Sequence, residues 1–99
     1  MSEYPTGTEL RYIKNYDLAQ KHPFGLIEFI QEIWWNAGTG VVIKGKRVKR
    51  VELHTWGWSG NEDIVGALSS NFIFWSLYWQ KSYRGGHYYF KVYKLPKGD

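Results

Sequence analysis

Ninety-nine residues with 43% hydrophobic and 19% aromatic side chains build one core-forming domain, which excludes a disordered chain and a two-domain protein. Six Trp, eight Tyr and five Phe exceed what so small a core encloses, so some rings must lie at the surface, where exposed aromatics serve contact. The absence of Cys excludes disulfides and thiolate metal sites, and a net charge of +4 with a pI of about 9.3 favours anionic partners.

His22, His54 and His87 are widely spaced and form no ligand pair, so no metal and no other cofactor is expected. No apolar run approaches the ~20 residues that span a bilayer. Met1-Ser2-Glu3-Tyr4-Pro5 lacks the basic and apolar regions of a signal peptide. Together these features predict a cytosolic protein with no membrane partner.

Residues 1–22 carry scattered Tyr and charge, with Pro5 and Gly7 as breakers, and read as an N-terminal arm. Leu10, Tyr12 and Ile13 could form a short strand or cover an edge. His22-Pro23 marks a boundary, because proline suits the first turn of a helix. From Phe24 to Asn36, Leu26, Phe29, Ile30 and Ile33 fall at i, i+3, i+4 and i+7, one apolar stripe at helical spacing. Ile27 and Trp34 widen the stripe, Trp35 points elsewhere, and Gly38 supplies a C-terminal stop.

Gly40 to Thr55 reads as a hairpin. Val41-Val42-Ile43 is β-branched, Val51 and Leu53 alternate, and Gly45 suits a tight turn. Val48 and Val51, three apart, leave the register open. Lys44, Lys46, Arg47, Lys49 and Arg50 concentrate five cations here. They read equally as a solvated edge and as a phosphate-contacting patch.

His54 to Asp63 follows as a strand-to-helix turn. Gly57 and Gly60 free the backbone, Trp56 and Trp58 supply flat faces, and gathered N–H groups at a helix start can hold an anion. Ser59 reads as the N-cap of a capping box closed by Glu62, and Ile64, Ala67 and Leu68 as the buried stripe of a short helix ending at Ser69-Ser70-Asn71.

For Phe72 to Lys81 a strand is preferred. A two-residue Gly85-Gly86 loop would place Arg84 opposite His87 and put Ile73, Trp75, Leu77, Trp79, Tyr88, Phe90 and Val92 on one face. Tyr78, Gln80, Ser82, Arg84, His87, Tyr89, Lys91 and Tyr93 would share the other. A helix continuing to Trp79 through Phe72, Trp75 and Tyr78 stays open, and residues 94–99 read as a tail. The predicted fold is a small single α+β domain, helix–hairpin–helix–hairpin, with an antiparallel sheet packed on a Trp-rich helix.

Between Val51 and Val92 the chain carries Glu52-Leu-His-Thr-x-Gly-Trp-Ser-Gly-Asn-Glu-Asp-Ile64, then Ala67-Leu68, Asn71, Phe74-Trp75, Tyr78-Trp79 and Arg84-Gly-Gly-His-Tyr-Tyr-Phe90. With Ile33-Trp34-Trp35 upstream, this resembles a family of small proteins encoded by bacteriophages and prophages. The resemblance implies a phage context and the cytoplasm of an infected bacterium. It brings no activity and no catalytic residue.

The functional reading is a non-enzymatic binder of a phosphate-bearing ligand, nucleic acid or small nucleotide. His54, Trp56, Gly57, Trp58, Ser59, Gly60, Asn61, Arg84, His87 and Tyr89 form the candidate site, with Tyr78, Tyr89 and Tyr93 as stacking faces. The alternative is a protein-binding inhibitor of a host defence or replication system, since exposed Trp, Tyr and Arg are the usual hot-spot residues. A small hydrolase-like enzyme ranks third, because Gly57-Trp-Ser-Gly-Asn61 lacks the Gly-x-Ser-x-Gly spacing of a nucleophile elbow. A homodimer sharing a site between chains stands beside a monomer.

Overall fold

A computed structural model describes residues 4–95. Its elements are α1 (Gly7–Lys14), α2 (Pro23–Ile33), α3 (Ala37–Gly40), β1 (Val41–Lys44), β2 (Val48–His54), α4 (Ser59–Ser70), α5 (Phe72–Tyr78), β3 (Trp79–Tyr83) and β4 (His87–Tyr93). The two hairpins merge into one antiparallel sheet of order β1-β2-β4-β3, and the α+β class holds. Among the described residues no helix is long and apolar enough to cross a membrane.

The region expected as an arm folds instead as α1. Thr6 and Glu9 form a reciprocal capping box, Thr6 Oγ1 accepting the Glu9 N–H at 3.1 Å and Glu9 accepting the Thr6 N–H at 2.8 Å. The helix buries Ile13 and lies against α4. Met1 to Glu3, and the expected tail from Pro96 onward, lie outside the described residues.

Helix α2 opens as expected, with Pro23 at its first position and His22 Nδ1 accepting the Phe24 N–H. It closes at Ile33, earlier than Asn36. The reason is tertiary: the backbone N–H and C=O of Trp35 are both taken by the side chain of Asn61 in α4, at 2.9 and 3.0 Å. Asn36 then takes the left-handed conformation, and Trp34 turns into the core.

The strand expected from Phe72 is a helix. Asn71 is buried between α4 and α5, and its Oδ1 accepts the Phe74 N–H while its Nδ2 donates to the carbonyls of Ile13 and Tyr16. That cap starts α5, and Phe74 and Tyr78, one helical turn apart, are fully buried. The strand begins only at Trp79.

Its pairing also differs by one residue. Tyr83 faces His87, Ser82 faces Tyr88 and Lys81 faces Tyr89; a bulge at Gln80 then brings Trp79 opposite Phe90. Arg84, Gly85 and Gly86 form a three-residue tip because Gly86 is docked on β2. Its carbonyl accepts the Thr55 N–H at 2.9 Å, and a Cβ there would run into Thr55 Oγ1. Gly85 and Gly86 both have positive φ.

The helices cover one face of the sheet. Val41, Val51, Leu53, Phe90 and Val92 meet Leu26, Ile30, Ile64, Leu68, Phe74 and Tyr78 in the core. Each such fully buried side chain contributes roughly 1.5–3 kcal/mol. The Tyr78 hydroxyl donates to the Tyr93 carbonyl at 2.7 Å, and burial pushes its pKa up, with Tyr93 adding to the effect. Tyr78 and Tyr93, edge to face at 5.1 Å, are therefore not surface stacking platforms.

Candidate functional site on the open sheet face

Alternation along the strands decides what the uncovered face carries. Because Val51, Leu53, Phe90 and Val92 point inward, their neighbours point outward in three cross-strand rows. Lys44, Arg50 and Lys91 form the first row; Val42, Glu52, Tyr89 and Lys81 the second; His54, His87 and Tyr83 the third. Glu52 is the only acid in the four strands.

Lys81 Nζ stands 5.1 Å from the Tyr89 ring centre and 5.4 Å from that of Tyr83, and those two rings meet edge to face at 5.6 Å. Arg50, Glu52, Gln80, Lys81, Tyr89 and Lys91 surround a shallow hollow of about 570 Å³. Three cations thus ring an aromatic floor, with one carboxylate set among them.

In the third row the two histidines touch. His54 Nδ1 lies 2.7 Å from His87 Nδ1, and His54 Nε2 lies 3.2 Å from Glu52 Oε1. A single arrangement of hydrogens on two neutral rings satisfies both contacts. His54 donates from Nε2 to the carboxylate, and its Nδ1 accepts from His87 Nδ1–H. His87 Nε2 is then left as an acceptor beside Gly85. The chain Glu52–His54–His87 can pass a proton, and no nucleophile joins it: Ser59 makes no hydrogen bond to either histidine among the described residues. Among the described residues no three His, Asp or Glu side chains are arranged to hold a metal ion.

Trp56 roofs this pair, its ring 5.5 Å from His54 and edge-on to His87 at 6.0 Å. It occupies, with Gly57, the centre of a turn closed by Trp58 N–H to Thr55 O at 2.9 Å. Both central residues have positive φ, 53° and 72°, as a type I′ turn requires. For Trp56 that conformation costs about 1–2 kcal/mol, yet its side chain stays 51% exposed.

The two segments singled out in the sequence, Trp56–Gly60 and Arg84–His87, are therefore adjacent, joined by the Thr55–Gly86 and His54–His87 contacts. Their members do not all face a ligand. Trp58 is stacked on both sides, 5.1 Å from Tyr4 and 4.8 Å from Trp35, which leaves no free face for a base. Asn61 is committed to Trp35. Gly60 is buried, and Trp58, Tyr4 and Pro5 close in where a Cβ would stand.

Ser59 is not the N-cap. Trp58 holds that position without a side-chain cap, its carbonyl receiving the Glu62 N–H at 3.0 Å, so the expected capping box is absent. The left-handed turn at Trp56-Gly57 sets the helix start one residue earlier than the Ser-x-x-Glu pattern predicted. The anion cradle expected at Gly57 to Asn61 is thus mostly packing.

The basic run divides. Lys44 and Arg50 lie on the open face, Lys46 and Arg47 in the exposed turn, and Lys49 on the helix side, 4.9 Å over the Phe24 ring. Arg84 is exposed at the hairpin tip. Of the expected residues, His54, Trp56, Arg84, His87, Tyr89, Lys44 and Arg50 share the open face and its rim. Lys81 and Tyr83 join them unforeseen, because the one-residue shift in the hairpin puts Tyr83 where Arg84 was expected, opposite His87, and Lys81 where Ser82 was expected, opposite Tyr89. Lys91 was legible from alternation in β4. Compared with protein-family models, curated proteins and solved structures, the chain matches none.

Proposed function

We propose that the protein binds single-stranded nucleic acid across the open face of its sheet. The observation that carries this reading is the placement of Arg50, Lys81 and Lys91 around Tyr89, with Lys44, Tyr83 and Trp56 extending the same surface. Single-strand binding needs a cationic track for phosphates and aromatic faces for bases, and stacking contributes roughly 1–3 kcal/mol per base. No sequence-reading element is needed for such a surface, so selectivity would come from strandedness. In keeping with the phage resemblance, the proposed target is nucleic acid in an infected bacterial cell.

Fluorescence polarisation with a labelled oligo-dT, an oligo-U and a duplex tests the reading. Both single strands should bind more tightly than the duplex. Three or four phosphate contacts give a slope of log K against log salt of about −2 to −3. Exchanging Arg50 and Lys91 together for Glu should weaken binding at least about tenfold and flatten that slope. Salt-independent binding, or an unaltered slope in the double variant, would refute the proposal.

A second reading has its own support. Phe72 is 78% and Ile73 58% exposed on α5, and Trp79 is 40% exposed at the start of the edge strand. Large apolar side chains so placed suit contact with a host protein, as an inhibitor would make. Replacing Phe72 and Ile73 by Ser should abolish that contact and leave oligonucleotide affinity unchanged.

A further inference from the structure

Away from the sheet, the first turn of α1 and the end of α2 enclose a cavity of about 550 Å³ whose walls include Tyr4, Phe29, Ile33 and Trp35, with Glu9 and Glu32. Among the described residues no basic side chain lines it, on a protein whose net charge is +4. Tyr4 and Trp35 both stack on Trp58. Glu9 already spends one oxygen on the Thr6 N–H.

The end of α2 is the informative feature. The last carbonyls of a helix carry partial negative charge that favours a cation. The last turn of α2 has no basic residue and holds Glu32 instead. Among the described residues neither Glu32 nor Glu9 has an ion-pair partner. Helix end, free carboxylate and aromatic faces all favour the same ligand, a positive group on an apolar stem.

We propose that this cavity receives the side chain of a lysine or arginine presented by a protein partner. The stem would lie on Phe29 and Ile33, with the head between Glu32, the free oxygen of Glu9 and the aromatic rings. One whole carboxylate and part of a second match one charge better than the several charges of a polyamine.

The test follows the indole N–H signals of Trp34 and Trp35 by ¹H–¹⁵N NMR. The titrants are the N-acetyl methylamides of lysine, arginine and norleucine, and spermidine. Lysine or arginine should give saturable shifts and norleucine, the neutral isostere of the stem, none. Glu32→Gln should weaken binding at least about fivefold, and Glu9→Gln, which retains the cap, by less. The Arg50/Lys91 double variant should bind the amides normally, which separates this site from the sheet surface. Equal binding of norleucine, or an unchanged affinity in Glu32→Gln, would overturn the proposal. Preference for spermidine would replace the side chain with a free polyamine and also overturn it.

Discussion

Trp56 and Trp58 stand two residues apart in one turn and have opposite fates. Trp58 lies between Tyr4 and Trp35, with both ring faces used and the start of α4 packed around it. Trp56 keeps half its surface in solvent and a left-handed backbone, leaning on the touching His54 and His87. Alternation of direction in a tight turn separates them, one ring going to the helical layer and the other to the open sheet. The comparison shows that aromatic density in a sequence is no measure of binding surface. What sets Trp56 apart is its left-handed backbone and the exposure it keeps.

That contrast can be broken by mutation. The largest effect is expected at Trp58→Ala, which removes two stacked contacts and leaves a void beside Gly60. Urea denaturation should show a loss of about 3–5 kcal/mol, whereas Trp56→Ala should stay within about 1 kcal/mol of the parent. Equal losses would mean that the two rings are not different in kind.

Asn61→Ala should follow, at about 2–4 kcal/mol, because the N–H and C=O of Trp35 both lose their partner in a partly buried site. Its oligonucleotide affinity should be unchanged under conditions where it is folded. A stable variant that no longer binds would return Asn61 to the ligand site.

Trp56→Gly should raise stability by about 1 kcal/mol, since glycine adopts the left-handed conformation freely. The same substitution should weaken single-strand binding severalfold through the lost ring. Destabilisation would show that the His54–Trp56 contact outweighs the backbone strain.

A last variant serves as a control remote from both tryptophans. Tyr78→Phe should cost under about 1.5 kcal/mol at neutral pH through its bond to the Tyr93 carbonyl. Tyr16 and Tyr78 both have pKa values raised chiefly by burial. The folded state therefore prefers the neutral phenols. Their contribution is fully present below the unfolded tyrosine pKa near ~10 and is lost as pH rises through the folded values. Stability measured by denaturant titration should fall above pH ~10, less steeply in Tyr78→Phe. A parallel decline in parent and variant would remove Tyr78 from the cause.

The candidate site was partly legible beforehand. Alternation placed His87, Tyr89 and Lys91 together on one face of β4, and the Gly-Gly tip announced a hairpin. Lys81 and Tyr83 were missed because the docking of Gly86 on Thr55 lengthened the loop by one residue, and a one-residue slip exchanges strand faces. The Ser59–Glu62 pattern predicts a capping box that does not form, while the same spacing at Thr6–Glu9 does form one. A short motif states what a helix start can use, and the neighbouring backbone decides which copy is used.

By itself the sequence determined the local periods: the α2 stripe, the β-branched run of β1, the inward Val51 and Leu53, and the two-faced strand β4. Those follow from side-chain spacing within a few residues. Only the tertiary structure decided where α2 ends, that Phe72 to Tyr78 is a helix, and which Trp stays exposed. In each case the deciding bond or ring contact joins residues distant along the chain: Asn61 to Trp35, Asn71 to Ile13 and Tyr16, Trp58 to Tyr4 and Trp35. Buried polar groups and large rings take the partners that the folded layers bring to them, and no local pattern names those partners in advance.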